Sequence, residues 1–134
     1  MDTVKRAHGG CFCGAVRFSA NLPSKWCAHC HCSMCRKTHG AGYVTWAGFD
    51  ESQVMVSRGE DKVSWFDSSE EAQRGFCSNC GSSMFFRSQR WAGELHIALG
   101  CINDEIDRQP QANVFFDQHV GWMPIDSTLK QVDG

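Results

Sequence analysis

Cysteines are the residues of this chain whose number and spacing predict chemistry. The sequence holds nine of them in 134 residues, and eight fall in three short groups. The groups are Cys11 and Cys13, then Cys27, Cys30, Cys32 and Cys35, then Cys77 and Cys80. Disulfides between such close neighbours would be strained, and an odd count does not suit a disulfide framework. Thiolates at this spacing are typical of zinc sites, so we expect bound metal instead.

The first predicted zinc site joins two pairs that are distant in the sequence. Cys77 and Cys80 have the form of a zinc knuckle, followed by Gly81, which can adopt the positive φ that a tight turn needs. A closed structural zinc needs four ligands. Cys11 and Cys13 are the expected suppliers of the other two, since they are also a pair followed by glycine. Such a clip would close a long loop and contribute strongly to folding.

A second site of a different kind is expected at Cys30, Cys32 and Cys35. Cys35 falls near the start of a predicted helix, a position that lowers the pKa of a thiol, and Arg36 adds a charge that would offset three thiolates. Three protein ligands leave the fourth position of zinc free, which is typical of a catalytic ion. Such an ion binds a substrate thiol or polarises a water molecule, and thiolate ligands favour a sulfur substrate.

Neighbouring residues leave an alternative for this second cluster. Cys27 could supply a fourth thiolate and so close a second structural site, and His29 or His31 could also complete it. His39 follows Cys35 by one helical turn, so it either approaches the site or ends the helix favourably. An open site predicts an enzyme. A closed site predicts a non-catalytic two-zinc module that binds a partner protein.

Short strands are expected to position these groups. Alternating apolar residues predict strands at 15–20, 42–49, 53–57, 62–66, 83–87, 94–99 and 112–116. The Arg-Gly-Glu-Asp turn at 58–61 is typical of a hairpin between the third and fourth of them. One helix is expected from about Ser33 to His39 with Gly40 as its cap, and a second short turn over 69–73. Many short strands with few helices predict a mainly β fold of antiparallel sheets.

Composition predicts one globular domain over residues 1–134, with 42% apolar and 21% charged residues. The first residues lack the apolar run of a secretory signal, and no stretch reaches the length of a membrane span. We therefore expect a cytoplasmic protein without membrane contact, in a compartment that keeps thiols reduced. The net charge is −2 at pH 7, and zinc-bound thiolates would make it more negative, so no nucleic-acid partner is expected.

Three ordered motifs resemble one known family. GGCFCGAVRF at 9–18, CHCSMCRKTHG at 30–40 and GFCSNCGSSMFF at 75–86 are similar to the glutathione-dependent formaldehyde-activating enzymes, a family that includes the centromere protein V-like proteins. The stretch PQANVFFDQHVGWM at 110–123 is similar as well. The resemblance covers about residues 8–126.

This resemblance implies a β-tent fold, in which coiled antiparallel sheets are clipped by zinc. It implies two zinc ions, a structural one on Cys11, Cys13, Cys77 and Cys80 and a catalytic one on Cys30, Cys32 and Cys35. It also implies condensation of glutathione with formaldehyde, which is a carbon–sulfur lyase reaction run in reverse. Cys27 is an addition to the family pattern.

Two further residues have candidate roles in that reaction. His39 is a candidate donor of the proton that the new oxyanion needs. Arg36 is the arginine nearest the second cluster in sequence, and arginine suits the planar carboxylates of glutathione. Because the uncatalysed addition is already easy, other small thiols and electrophiles are also candidate substrates.

Overall fold

Eleven strands and one α-helix are present in residues 5–134, the part of the chain that this computed structural model describes. The strands are β1 (Arg6–Gly10), β2 (Arg17–Asn21), β3 (Trp26–Cys30), β4 (Val44–Asp50), β5 (Val54–Arg58), β6 (Val63–Asp67), β7 (Ala72–Cys77), β8 (Ser83–Ser88), β9 (Glu94–Ala98), β10 (Ala112–Val114) and β11 (Lys130–Val132). The helix α1 spans Ser33–His39 and lies between β3 and β4.

The strands form two sheets of unequal size. The smaller sheet has the order β1-β2-β5 and is antiparallel. The larger sheet has the order β11-β10-β3-β4-β9-β8-β7-β6. Its pairs are antiparallel except at β10, which runs parallel to both β3 and β11. The predicted mainly β fold of antiparallel sheets is confirmed, with β10 as its parallel exception.

The two faces of the larger sheet have different surroundings. Because side chains alternate along a strand, Phe49 and Ile97 point to one face, where they pack with Phe18 of the smaller sheet in the main core. All three side chains are almost fully buried. Trp46 and His96 occupy the alternate positions on β4 and β9 and line a cavity on the other face.

Helix α1 has the bounds that the sequence predicts. Its N-cap is Cys32, whose Sγ accepts a hydrogen bond from the backbone N of Cys35 at 3.2 Å. Gly40 ends the helix with a φ of 62°, in the left-handed region that suits a residue without Cβ. Within residues 5–134, no helix is both long enough and apolar enough to cross a membrane.

Two predicted connections are wrong. β5 and β6 form no hairpin, because β5 pairs with β2 in the smaller sheet and β6 pairs with β7 in the larger one. Residues 69–73 form no helical turn either. β7 begins at Ala72. The backbone N of Ser68 donates to the carbonyl oxygen of Ala72 at 3.0 Å, and this bond closes the tight connection between β6 and β7. Pairing between strands therefore outweighs the local capping preference of the serines.

Gly59 is the residue that leads the chain from one sheet to the other. Its φ is 73°, and a Cβ added there would collide with the carbonyl oxygen of Ala15. We expect Gly59→Ala to lower the free energy of unfolding by about 2–4 kcal/mol, from the positive φ and the collision together. Gly93 also has a positive φ but open space around it, so Gly93→Ala should cost only about 1 kcal/mol. Equal midpoints for the two variants in urea unfolding would contradict this role for Gly59.

Candidate metal centres

The first predicted group of cysteines comes together where the two sheets meet. The Sγ atoms of its members lie within 4.8 Å of one another; they are Cys11, Cys13, Cys77 and Cys80. The separation is 3.6 Å between Cys11 and Cys13 and 3.9 Å between Cys13 and Cys77. Four sulfurs bound tetrahedrally at about 2.3 Å from zinc would lie about 3.8 Å apart. The group therefore fits a closed structural zinc site.

Local hydrogen bonds prepare these sulfurs to bind a cation. The backbone N of Val16 donates to Sγ of Cys11 at 3.2 Å, and Nδ2 of Asn79 donates to Sγ of Cys13 at 3.3 Å. Hydrogen bonds of this kind favour the thiolate form. Gly81 closes the knuckle turn with a φ of 82°. The first site is thus built from two short turns whose sulfurs already point to one centre.

The second group contains three cysteines and borders the cavity. The Sγ atoms of Cys30, Cys32 and Cys35 lie within 4.8 Å of one another, and all three residues are buried. Among residues 5–134, no other histidine, cysteine, aspartate or glutamate joins this group. The three line a cavity of about 680 Å³. A tetrahedral ion held by them would have its fourth position facing that cavity.

Cys27 is placed apart from both groups. It lies on β3, three residues before Cys30, and an odd spacing along a strand puts two side chains on opposite faces of the sheet. The Cys27 side chain is buried beside its strand partner Ala47, and burial raises the pKa of its thiol to about 11. The closed second site considered above would need the Cys27 thiol beside the Cys30 thiol. The structure places these two side chains on opposite faces of β3 instead.

The two histidines beside the second group also turn to other partners. Nδ1 of His29 is hydrogen-bonded to Oγ1 of Thr45 at 2.7 Å. Nε2 of His31 is hydrogen-bonded to Oδ1 of Asn113 at 2.8 Å, and both of these side chains are fully buried. Neither histidine is part of the three-cysteine group.

His39 lies one layer behind the cavity wall. Its ring meets the ring of Trp46 edge-on, with centroids 5.3 Å apart, and it is Trp46 that faces the cavity. Burial, together with the positive charge of Arg74, lowers the pKa of His39 to about 4, so the ring is neutral at pH 7. The role of His39 as a proton donor stays a prediction. Trp46 lies between the His39 ring and the cavity, so a proton from His39 would have to pass this side chain.

Arg74 is the arginine that contacts the three-cysteine group. It lies on β7, and its Nη2 is 3.6 Å from Sγ of Cys35 while its Nη1 donates to Oγ1 of Thr38 at 3.2 Å. Its guanidinium packs over the ring of Phe86, with the central carbon 4.9 Å from the ring centroid. The side chain is 93% buried, yet its Nε has no hydrogen-bond partner. A cation is thus held in the cavity wall beside the sulfurs.

Arg74 is one of the arginines that the sequence offers for a substrate carboxylate, but sequence reasoning favoured Arg36. Arg36 follows Cys35 directly, but it does not line the cavity, and its role toward a substrate carboxylate stays a prediction. Arg74 and Cys35 are 39 residues apart, so no short motif contains both of them. Their contact could have been predicted only from the position of β7 and its register against β8.

An aromatic wall lines the cavity from the cysteines outward. We define it by five cavity-lining residues on the same face of the larger sheet or at its edge: Trp26, Trp46, Phe86, Trp91 and His96. The ring of His96 is in contact with three of the others, at centroid distances of 4.6 to 5.6 Å.

A carboxylate behind the wall fixes two of its rings. Oε1 of Glu94 accepts hydrogen bonds from Nε2 of His96 at 2.9 Å and from Nε1 of Trp26 at 3.3 Å. Its other oxygen accepts one from Nζ of Lys25 at 3.1 Å. Burial lowers the pKa of His96, although the bond to Glu94 raises it in part. The carboxylate of Glu94 thus fixes the orientation of His96 and Trp26 in the wall.

Comparisons with known proteins agree with the cysteine motifs. The sequence model that matches residues 6–118 is described as glutathione-dependent formaldehyde-activating enzyme. A Halomonas elongata protein that carries a provisional form of the same description is 29% identical over 126 residues, covering 89% of this chain and 80% of its own. An uncharacterized lyase of Schizosaccharomyces pombe is 28% identical over 78 residues, covering 58% of this chain and 55% of its own. A crystal structure of a Rhodobacter sphaeroides protein superposes with a TM-score of 0.63 at 25% identity, covering 75% of this chain and 92% of that one.

Proposed function

Since the chain belongs to the glutathione-dependent formaldehyde-activating enzyme family, we propose that it joins the sulfur of a small thiol, glutathione or a similar one, to the carbon of formaldehyde or another small electrophile. The observation that supports this most directly is the three-cysteine group at the cavity. Cys30, Cys32 and Cys35 would hold one zinc ion there, which would supply Lewis acidity toward a thiol substrate in the cavity. The other four cysteines would hold a second, structural zinc.

The proposed reaction adds a thiol across a carbonyl group. The sulfur–carbon bond forms, the carbonyl π pair moves to oxygen, and that oxygen takes up the proton that the sulfur gives up. When bound, zinc supplies Lewis acidity that favours the thiolate form of the substrate. The protein holds both reactants in one cavity, and such positioning accounts for much of the rate gain in reactions of this type.

Arg74 is the residue placed to assist at the oxygen. Its guanidinium lines the cavity within 3.6 Å of Sγ of Cys35, so it lies beside the position where the bond would form. A fixed donor that points to the oxygen gaining negative charge stabilises the transition state more than the ground state. The same charge offsets the excess negative charge that three thiolates bring to one divalent ion.

We expect Arg74→Met to lower kcat/KM for adduct formation by about 100-fold, the usual cost of removing one donor to a developing oxyanion. Metal content should stay at two ions per chain, because no ligand is changed. Arg87→Met is the matched control, since that guanidinium stacks on Trp65 at 3.7 Å, outside the residues that line the cavity. Wild-type kcat/KM in the Arg74 variant would show that the arginine has no part in the reaction.

Cobalt substitution tests the open coordination position directly. The Co²⁺ protein should show sulfur-to-metal charge-transfer bands for two metal ions per chain, and glutathione should shift the bands of one of them saturably. That result requires three protein sulfurs and an exchangeable ligand at one site. A spectrum of two four-sulfur sites that glutathione leaves unchanged would instead favour the non-catalytic two-zinc module.

A further inference from the structure

The cavity is much larger than glutathione's sulfur and formaldehyde need around the reacting atoms. Its volume is about 680 Å³, within the range of sites that bind whole drug-sized ligands. The aromatic wall defined above begins beside the cysteines and extends away from them along the cavity. A one-carbon electrophile would contact almost none of this surface.

The wall begins at the cysteines and continues without a polar break. On the cavity face, Ala28 lies two residues before Cys30 on β3 and pairs with Trp46 of β4. Trp46 also pairs with Ala98 on β9. His96, two residues before Ala98 on β9, pairs with Phe86 on β8. On β4, Val44 is the partner of Cys30 and Gly48 is the partner of His96. These partners are four residues apart, so His96 lies about 13 Å from Cys30 along the strand direction. An extended ligand chain can therefore follow the wall away from the reacting centre.

The charges around the wall suit the carboxylates of glutathione only at its two ends. Glu71 lines the cavity, and Glu94 lies directly behind His96 and Trp26. Within residues 5–134, the arginines that line the cavity are Arg74, held at the cysteine end, and Arg90, which is exposed at the rim. Arg74 lies over the ring of Phe86 and Arg90 over the ring of Trp91, so a carboxylate would gain a cationic partner only at these two ends of the wall. Against Trp26 and Trp46 it would lose its hydration without one. The polar arms of a thiol substrate fit the rim better than the wall.

We propose that the electrophile of this site is an aldehyde that carries an apolar chain or ring of about six to ten carbon atoms, which lies along the aromatic wall while its carbonyl carbon lies beside Cys30, Cys32 and Cys35. The inference rests on the proposed function and narrows its substrate class. An apolar chain replaces water against the rings of Trp46, Trp26 and Phe86 and is the ligand chemistry that this surface favours.

A homologous series of aldehydes tests the assignment. With glutathione as the thiol and the uncatalysed rate subtracted, kcat/KM should rise by about fourfold per methylene from propanal to octanal, as burial of each CH₂ group predicts. Trp91→Ala should flatten this rise, whereas Trp122→Ala, at an exposed tryptophan outside the cavity, should leave it unchanged. A kcat/KM that is constant or falls with chain length in the wild-type protein would overturn the proposal.

A second series identifies which reactant carries the apolar group. Straight-chain thiols of two to eight carbon atoms are reacted with formaldehyde in place of glutathione. We expect little dependence on chain length here. A rise per methylene in the thiol series, with none in the aldehyde series, would assign the wall to the thiol and overturn the assignment to the electrophile.

Binding of unreactive primary alcohols separates this inference from the proposed function. Three tryptophans line the cavity, so occupation should change the intrinsic fluorescence. We expect affinity to rise by about fourfold per methylene from butanol to decanol. That result together with no carbon–sulfur bond formation in any series would overturn the proposed function and leave an apolar binding site. Equal affinities for all chain lengths would overturn the inference.

Discussion

Replacing Cys77 with serine should remove one metal ion per chain and most of the stability of the protein. Cys77 is fully buried at the end of β7 and shares its centre with Cys13, 64 residues earlier in the chain. Structural zinc sites contribute apparent binding free energies of about 10–16 kcal/mol at neutral pH, and much of that is lost when one thiolate is removed. A fall of about 5 kcal/mol in the free energy of unfolding would leave a domain of ordinary stability barely folded.

Metal analysis and urea unfolding of Cys77→Ser check this expectation. Cys101→Ser is the matched control, because Cys101 belongs to neither cysteine group and its thiol donates only to the carbonyl of Ser83 at 3.5 Å. The control should keep two metal ions and a nearly unchanged midpoint. If Cys77→Ser also kept two ions and the wild-type midpoint, the four-cysteine site would not be the clip described here.

Cys35→Ser should have the opposite profile, with activity lost and the fold kept. Its thiolate is one of three that would hold the second ion, so the metal content should fall from two to one. The reaction should drop to the uncatalysed rate, a loss of at least about a thousandfold, as expected for groups that act as a unit. The free energy of unfolding should fall by about 1–3 kcal/mol, the cost of a buried hydroxyl. This is less than for Cys77→Ser, because α1 keeps its Gly40 cap and the four-cysteine group is untouched.

Cys27→Ser is the control that distinguishes an open from a closed second site. Because Cys27 points to the other face of β3, this variant should keep both metal ions and its activity. Burying a hydroxyl in its place should cost about 1–3 kcal/mol of stability. Loss of the second metal ion from Cys27→Ser would make Cys27 a ligand and favour a closed, non-catalytic centre.

The parts of the site that sequence reasoning could predict are those set by short-range spacing. The bounds of α1, the three-cysteine group and each separate pair of the four-cysteine group follow from residues a few positions apart, since metal ligands and helix caps have fixed local geometry. Cys27 shows the limit of this reasoning. A spacing of three brings two residues together on a helix and separates them on a strand, and β3 was not among the predicted strands.

The remaining parts depend on the register of distant strands. Arg74 reaches Cys35, and the rings of the aromatic wall share one face, only because β3, β4, β9, β8 and β7 are neighbours in this order. No short motif encodes that order, which results from burial of the opposite face against the smaller sheet. The cavity and its chemistry are therefore properties of the whole sheet.

The parallel pairing of β10 between β3 and β11 has a consequence for how the chain reaches its native state. Ala28 and Ala112, which pair in β3 and β10, are separated by most of the sequence, so the contact order of the domain is high. Chains dominated by such non-local pairs fold in milliseconds to seconds. The reason is that closing a long loop costs conformational entropy before the stabilising contacts between the two strands have formed. During synthesis the cysteine turn after β1 leaves the ribosome long before the knuckle that completes the four-cysteine group. The strands β1, β2 and β5 can pair early, as can β3 and β4, but Cys11 and Cys13 stay without their two partner thiols until the late half of the chain is made.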